Sequence, residues 1–264
     1  MFGTAADFAL AYGVTQAGFL TLWVVSIGKR DTSIVDFWWG PGFLAQLMAV
    51  AWMVPGDLDA RGLVLLGLIG AWSLRLGFVL GRRRLLEGHE DPRYQALRAA
   101  WDPGFWWKSL GIVFVLQAVV QWMIAVGPIA GLLAPSTTFG GLGILGIAVA
   151  LAGLGLETRA DAELDAFKQA AKPGDLCTTG LRAHVRHPNY LGEIVFWVGI
   201  ALIGLEAGAW IALVSPVLIT VFLTQVSGAP MLDERLSETR AGYAAYRARV
   251  PGFLPALRPQ MRDG

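Results

Sequence analysis

The sequence predicts an all-α membrane protein with seven transmembrane helices, a cytoplasmic cap and an amphipathic C-terminal tail. The first observation behind this prediction is composition: 55% of the 264 residues are hydrophobic and only 16% are charged, a balance too apolar for an ordinary soluble domain. The second is the recurrence of apolar stretches of about 20 residues, the length that crosses a bilayer as a helix. The third is the one-sided placement of basic residues between those stretches.

Seven apolar stretches divide the chain. The second begins within the aromatic segment 36–40 and ends at Pro55-Gly56, and only a tight turn at 204–208 separates the last two. Each stretch is long enough to cross a bilayer as a helix. We predict one integral membrane domain over 1–264, with a cytoplasmic tail at 227–264 and spans at 5–28, 35–54, 60–80, 108–133, 139–157, 189–205 and 207–226.

The basic residues test this division independently. All but two of the 21 Lys and Arg follow the first, third, fifth or seventh stretch, and the exceptions are Arg61 and Arg75. Basic loops are retained in the cytoplasm, so we expect the N-terminus outside and the C-terminus inside, in a membrane such as the bacterial inner membrane. Membrane lipids are then the surroundings. Nucleic acid is not an expected partner, and the oligomeric state stays open.

Two polar segments outside the spans are expected to be helical. Asp91-Pro92 opens a short surface helix, because Asp caps a helix N-terminus and Pro suits its first turn. The tail is expected to stay helical up to Val250, where Pro251-Gly252 ends it.

The octapeptide 186–193 (Arg-His-Pro-Asn-Tyr-Leu-Gly-Glu) is the most informative polar segment. Pro188 suits the first position of a helix, where its missing N–H is no loss. Arg186 and His187 just ahead of a helix N-terminus form a natural place for phosphate. Asn189 and Glu193 are four residues apart and share one face, and a carboxylate inside an apolar helix is by default a functional-site hypothesis.

A second polar stripe continues the fifth span. Glu157, Asp161, Leu164 and Lys168 lie at i, i+4, i+7 and i+11, so they share one helical face. The plain interpretation is a solvated amphipathic extension. The functional one is a cleft wall opposite the octapeptide, where acids hold ribose hydroxyls or an amide nitrogen and bases hold phosphates. This combination of acidic and basic side chains predicts a nucleotide-type cofactor.

The tail adds further candidates. Asp233-Glu234 leave the last span as an acidic pair, and Tyr243 and Tyr246, three apart, share a face that could cover an aromatic ring. The alternative is an amphipathic tail helix lying on the lipid headgroups. No metal site is expected, because His184 and His187 are not joined by a third metal-type ligand.

Within the apolar spans, Asp36 and Arg75 stand out. A structural ion pair between them on adjacent helices is the first interpretation, ahead of a role for Asp36 in chemistry.

Five stretches together resemble the DUF1295 family, which is similar to the steroid 5-alpha-reductase and sterol-reductase superfamily of membrane proteins. The resemblance covers nearly the whole chain, and no single motif carries it alone. The stretches are 33–43, 72–77, 157–168, the octapeptide 186–193, and Ser227-Gly228 with Tyr243, Tyr246 and 253–255.

The resemblance implies a seven-helix membrane fold that holds NADPH in a cytoplasm-facing cavity and passes hydride to the C=C bond of an enone lipid. Asp161 and Lys168 match an acid and a base of the cofactor site, and Asn189 and Glu193 match residues at the nicotinamide end. Motifs and resemblance together give as cofactor-binding residues Glu157, Asp161, Lys168, Arg186, His187, Asn189, Glu193, Trp197, Asp233, Tyr243 and Tyr246.

Several positions depart from the reductase pattern. Glu157 replaces the usual Asn, Asp233 stands where the reductases have His, and the Gln-Glu pair and Tyr that polarise a steroid ketone have no counterpart at 37–41 and Trp72-Ser73. The proton donor must then be another group, with Asp36, Tyr190 or water as candidates, because a buried carboxyl serves as an acid when its pKa is raised. Glu193 is counted with the catalytic residues, and holding the nicotinamide is its preferred role over that of an acid. A steroid is therefore not assumed as substrate.

Three functions stay open. The first is NADPH-dependent reduction of a conjugated C=C bond in a lipophilic, steroid- or isoprenoid-like enone, comparable to a 3-oxo-5-alpha-steroid 4-dehydrogenase. The second is S-adenosylmethionine-dependent methyl transfer to isoprenylcysteine or phospholipid, since such membrane methyltransferases resemble the chain in Arg-His-Pro-x-Tyr and Tyr-x-x-Tyr. The third is non-catalytic lipid binding. The stripe from Glu157 to Lys168 and the Asn189–Glu193 pairing favour the reductase.

Overall fold

The protein is built from helices, seven of them long and apolar enough to cross a membrane within the residues described. The computed structural model describes residues 3–135 and 139–254, with the side chains of 85–87 left aside, and these ranges contain no strand. The predicted all-α fold with seven spans is confirmed. The α-helices are α1 Ala5–Lys29, α2 Trp39–Met53, α3 Ala60–Glu87, α4 Pro92–Trp101, α5 Phe105–Ser109, α6 Leu116–Leu132, α7 Gly141–Ala170, α8 Pro188–Glu206, α9 Val214–Val221, α10 Ala229–Thr239 and α11 Tyr243–Arg249.

Local sequence sets most of the helix ends. Asp59 begins α3 by accepting a 2.8 Å hydrogen bond from the N–H of Gly62, and Gly88 ends it in a left-handed conformation at φ 67°, which a glycine adopts without strain. Asp91 begins α4 in the same way, through a 2.8 Å bond from the N–H of Arg93. The structure therefore has a helix where Asp91-Pro92 predicted one.

Several helices extend beyond the predicted bounds of their spans. A 3-10 segment, Thr32–Trp38, leads into α2, and α3 runs on to Glu87, beyond the predicted end at 80. The seventh helical stretch, Trp210–Thr239, changes its winding along its length. It passes through a 3-10 turn at Trp210–Leu213 and a π-helical turn at Phe222–Val226. Arg258 and Arg262, counted above among the basic residues of the tail, lie outside the described residues, as does Pro255 of the resemblance.

The chain divides into two compact units. Unit 1 comprises 1–144 and 200–215, and unit 2 comprises 145–199 and 216–264.

In unit 1, Gln121 collects the polar groups that lie within the apolar helices. Its Oε1 accepts hydrogen bonds from the Thr15 hydroxyl and, at 3.3 Å, from Gln46 Nε2. Its Nε2 donates to the carbonyl of Trp38 at 2.9 Å. Polar groups in a bilayer must find partners inside the protein, since lipid offers none. This network therefore links α1, α2 and α6.

In unit 2, α7 and α8 pack backbone to backbone through glycines. A Cβ on Gly192 would lie 2.7 Å from the backbone nitrogen of Glu157. A Cβ on Gly153 or Gly199 would collide with the backbone nitrogen of Phe196 or Ala150. Small residues permit such approach, which is how membrane helices gain packing energy without a hydrophobic driving force. The contact runs antiparallel, from Glu157 beside Gly192 to Ala150 beside Gly199.

This contact fixes the direction of the polar stripe on α7. Ala150, Gly153 and Glu157 face α8, and helical spacing continues the same face through Asp161, Leu164 and Lys168. The face that packs against α8 is therefore also the face that carries the predicted acids and base.

We expect Gly153→Ala and Gly199→Ala each to destabilise the protein by about 1–3 kcal/mol, because the added methyl group meets backbone that cannot yield. The measurement is the thermal unfolding midpoint in mild detergent. Gly155→Ala is the matched control, since nothing lies within 4 Å of its Cβ position. Equal midpoints for all three variants would contradict the backbone contact.

Candidate functional site

The octapeptide is held at the start of α8 by the end of the tail. Pro188 is the first residue of α8, as predicted. The backbone N–H of Arg186 donates to the carbonyl of Pro251 at 2.9 Å, and that of His187 donates to the carbonyl of Gly252 at 3.2 Å. Two backbone bonds therefore attach the segment before α8 to the end of the tail.

Asp233 is the centre of the polar contacts in unit 2. It is 5% exposed, and its Oδ1 accepts a 2.9 Å hydrogen bond from His187 Nε2 and another from the Tyr243 hydroxyl. Its Oδ2 lies 3.3 Å from Nη2 of Arg186 and 3.8 Å from Nε of Arg247. A buried carboxylate is tolerated only with such compensation. Asp233 therefore joins α10 and α11 to the segment before α8.

His187 is buried, with 2% of its surface exposed. Its ring lies 5.6 Å from that of Tyr190, nearly parallel to it, and 5.7 Å from that of Phe253. Burial lowers the pKa of His187; the Asp233 carboxylate opposes this shift, and the charge of Arg186 adds to it. A neutral imidazole beside a carboxylate carries its proton on the nitrogen that faces it. Nε2–H therefore donates to Asp233.

The two tail tyrosines lie inside the protein. Tyr243 is 1% and Tyr246 4% exposed, and both pack with Val250, Leu176 and Leu236. The Tyr246 hydroxyl donates to the carbonyl of Arg182 at 2.7 Å, and burial raises the pKa of Tyr246 to about 12. This face of the tail helix therefore meets protein, and the alternative of a helix lying on headgroups does not describe it.

Arg182 has a structural position that the sequence analysis did not foresee. It is 8% exposed, and its Nη1 donates to the carbonyl of Ala160 at 3.1 Å. The N–H of the preceding Leu181 donates to Glu163 at 2.8 Å. Arg182 and Glu163 therefore connect the loop after α7 to that helix by hydrogen bonds. No local motif distinguishes either of them from a solvated charge.

The remaining predicted cofactor residues lie on α7 and α8. Glu157 is 3% exposed and its Cγ adjoins Gly192, one residue before Glu193. Asp161, Asn189 and Glu193 are half-buried, Trp197 is buried, and Lys168 is exposed in the last turn of α7. The structure therefore brings Glu157 beside the octapeptide, while Lys168 lies more than two turns further along α7.

Arg186 has buried donors that the described residues leave without an acceptor. Its Nη2 faces Asp233, while its Nε and Nη1 are buried and have no acceptor among the described residues. Buried donors without acceptors are rare. A guanidinium is suited to phosphate, which accepts two parallel N–H bonds. The residues present therefore fit an anionic group at the start of α8.

Asp36 belongs to unit 1 and has partners other than the one predicted. Its Oδ1 accepts from the Tyr94 hydroxyl at 2.6 Å, and its Oδ2 accepts from Arg93 at 3.0 Å. The predicted ion pair with Arg75 is wrong, because α4 places Arg93 and Tyr94 against this carboxylate. Gln117 extends the cluster by donating to the Tyr94 hydroxyl at 3.2 Å. Burial and the Asp36 charge raise the pKa of Tyr94.

Comparison with known proteins gives one match. A family model described as protein of unknown function (DUF1295) matches residues 22–250. No curated protein and no solved structure matches the chain.

The lowered pKa of His187 predicts a loss of stability in acid. Above its ordinary pKa of about 6.5 the imidazole is neutral in both states, whereas below it the unfolded state binds a proton that the folded state excludes. We therefore expect the thermal unfolding midpoint to decrease as the pH is lowered from about 7 to about 5. The decrease should be smaller in His187→Gln, whose amide keeps a hydrogen-bond donor for Asp233.

The matched control is His89→Gln, which removes an exposed histidine. It should keep the wild-type dependence on pH. The same slope in His187→Gln as in wild type would contradict the lowered pKa.

Proposed function

The chain belongs to the DUF1295 family, and on this basis we propose that it is an NADPH-dependent membrane oxidoreductase that reduces the conjugated C=C bond of a lipophilic enone. The observation that carries the proposal is the basic start of α8. There Arg186, with two buried donors that have no acceptor among the described residues, stands ahead of a helix N-terminus, where an anion is favoured by the backbone dipole.

The phosphates of a dinucleotide would supply the missing acceptors for Arg186 Nε and Nη1. The α7 face that leads from Glu157 to Asp161 would hold ribose hydroxyls, for which carboxylates are strong acceptors. Asn189 and Glu193, on α8, would hold the carboxamide of the nicotinamide, with Trp197 one turn further on. Lys168 would approach the outer phosphate. The resemblance to sterol reductases supports the same assignment.

Reduction of an enone needs a hydride at the β-carbon and a proton at the α-carbon. When bound, NADPH supplies the hydride and leaves as NADP⁺. The residues of this chain hold the enone in place, keep water away and provide the proton. Tyr190, whose ring lies against His187, and Glu193 are the candidates in unit 2, and Asp36 is the candidate in unit 1. A positioned acid of this kind contributes about 10²–10⁴-fold to the rate.

Location in a membrane favours a lipophilic substrate. Seven apolar helices make the chain an integral membrane protein, so an isoprenoid- or steroid-like enone can enter from the bilayer. The basic loops would face the cytoplasm, where NADPH is found, with the N-terminus outside and the C-terminus inside. The bacterial inner membrane fits this arrangement.

We expect NADPH to raise the unfolding midpoint of the purified protein in mild detergent. Ligand at about 100 times its Kd stabilises the folded state by about 2.7 kcal/mol. Arg186→Gln, Glu193→Gln and Lys168→Ala should each reduce the NADPH-dependent rise. Lys172→Ala is the control, because Lys172 is an exposed lysine beyond the end of α7.

The quantity to compare between variants is the rise in midpoint that NADPH causes. The midpoint without ligand is not sufficient, because Arg186→Gln also removes an ion pair with Asp233 and so lowers stability by itself. A rise with S-adenosylmethionine and none with NADPH or NADH would overturn the proposal in favour of methyl transfer. No rise with any of the three would favour a non-catalytic lipid-binding protein.

A further inference from the structure

Unit 1 contains a cavity of about 410 Å³ that none of the residues assigned to cofactor binding lines. This volume lies within the range of small-molecule sites. Residues of α1, α3, α4 and the 3-10 segment before α2 form it. One part of its wall is apolar and consists of Leu22, Val25, Ile34, Phe37 and Leu80.

The polar part of the wall carries an excess of positive charge. Four basic residues (Lys29, Arg83, Arg84 and Arg93) and two acidic ones (Asp36 and Asp91) line the cavity. Most of these charges already have partners.

Arg93 is paired with both acids of the wall. Arg84 is paired with Asp31 and donates to the carbonyl of His89 at 2.6 Å. Lys29 and Arg83 make no side-chain hydrogen bond or ion pair to another residue that the structure describes. As far as the described side chains go, these two cations therefore remain available at this cavity.

The position of these two cations matches that of lipid headgroups. Lys29 is the last residue of the first apolar helix, and Arg83 lies one residue before the end of the third apolar span, Ala60–Arg84. Basic residues at the ends of membrane helices attract anionic headgroups. Val25 and Phe37 are 39% and 48% exposed, so apolar surface is present beside the charges.

We propose that this cavity binds an amphiphile with an anionic phosphate headgroup, whose phosphate contacts Lys29 and Arg83 and whose acyl chain lies against Phe37 and Leu80. A zwitterionic lipid is disfavoured, because both carboxylates that could receive its ammonium group are paired with Arg93. Free phosphate is disfavoured, because it leaves the apolar wall uncovered. The proposal does not depend on cofactor binding by unit 2, although Asp36, a candidate proton donor of the proposed reductase, also lines this cavity.

The test uses the full chain in neutral detergent and native mass spectrometry with three probes. These are oleoyl lysophosphatidate, oleoyl lysophosphatidylcholine and inorganic phosphate. We expect a lysophosphatidate adduct at concentrations where the other two give none. Equal binding of lysophosphatidylcholine, or equal binding of phosphate alone, would overturn the proposal.

Two variants locate the site. Lys29→Gln combined with Arg83→Gln should weaken lysophosphatidate binding about tenfold or more, since each surface cation contributes to headgroup attraction. Gly81→Leu should weaken it as well by filling the cavity, because its Cβ would lie 3.5 Å from the Phe37 ring. This change also favours the helix, so it is not expected to unfold the chain.

The matched control removes the same charge from unit 2, as Lys172→Gln combined with Arg235→Gln, both exposed. Its affinity for lysophosphatidate should equal that of wild type. Equal weakening by the control would show a general effect of net charge, and unchanged binding in Lys29→Gln/Arg83→Gln would show that the lipid binds elsewhere. Either result would overturn the proposal.

Discussion

The backbone contact between α7 and α8 determines where the candidate cofactor residues of unit 2 lie. Gly153, Gly192 and Gly199 leave no room for a side chain between the two helices. At such short separation neither helix can rotate without a collision, so their relative orientation is fixed. Glu157 is thereby placed beside the octapeptide. Because interior packing is dense, a change of a single methyl group there is transmitted to the polar face.

Asp233 joins the tail to this helix pair by electrostatic means. Its carboxylate is a buried charge that becomes tolerable only when His187, Tyr243 and Arg186 supply donors together. The tail therefore cannot leave the start of α8 without exposing an uncompensated carboxylate. The same requirement explains why the Tyr243 hydroxyl faces inward, whereas the lowered pKa of His187 comes from its burial, against the effect of the carboxylate. Arg186 is shared between Asp233 and the proposed phosphate, so cofactor affinity and tail position are expected to be coupled.

Unit 1 provides hydrogen-bond partners for its polar groups in a different way. Neutral amide side chains lie among the apolar helices, and charged side chains lie at the helix ends. Gln121 and Gln117 link neighbouring helices through hydrogen bonds, which costs less in a bilayer than burying ions. Charged residues instead gather where α1 and α3 end. There Arg93 and Arg84 neutralise the nearby carboxylates, and Lys29 and Arg83, which pair with no described side chain, are the residues proposed to contact a ligand. The two units therefore offer two separate anion-binding candidates.

The sequence alone determined the fold class and the seven spans, through the length of the apolar stretches and the alternation of basic loops. It also determined the starts of α4 and α8, through Asp91-Pro92 and Pro188. These features act over a few residues, through hydrophobicity, capping and the fixed φ of proline, so the sequence alone contains them. Only the tertiary structure decided that Asp36 pairs with Arg93 instead of Arg75, that Arg182 fastens the loop after α7, and that Asp233 meets His187 across 46 positions of sequence. A carboxylate attracts any nearby cation or donor, and its spacing along the chain does not say which one the packing of helices will bring close.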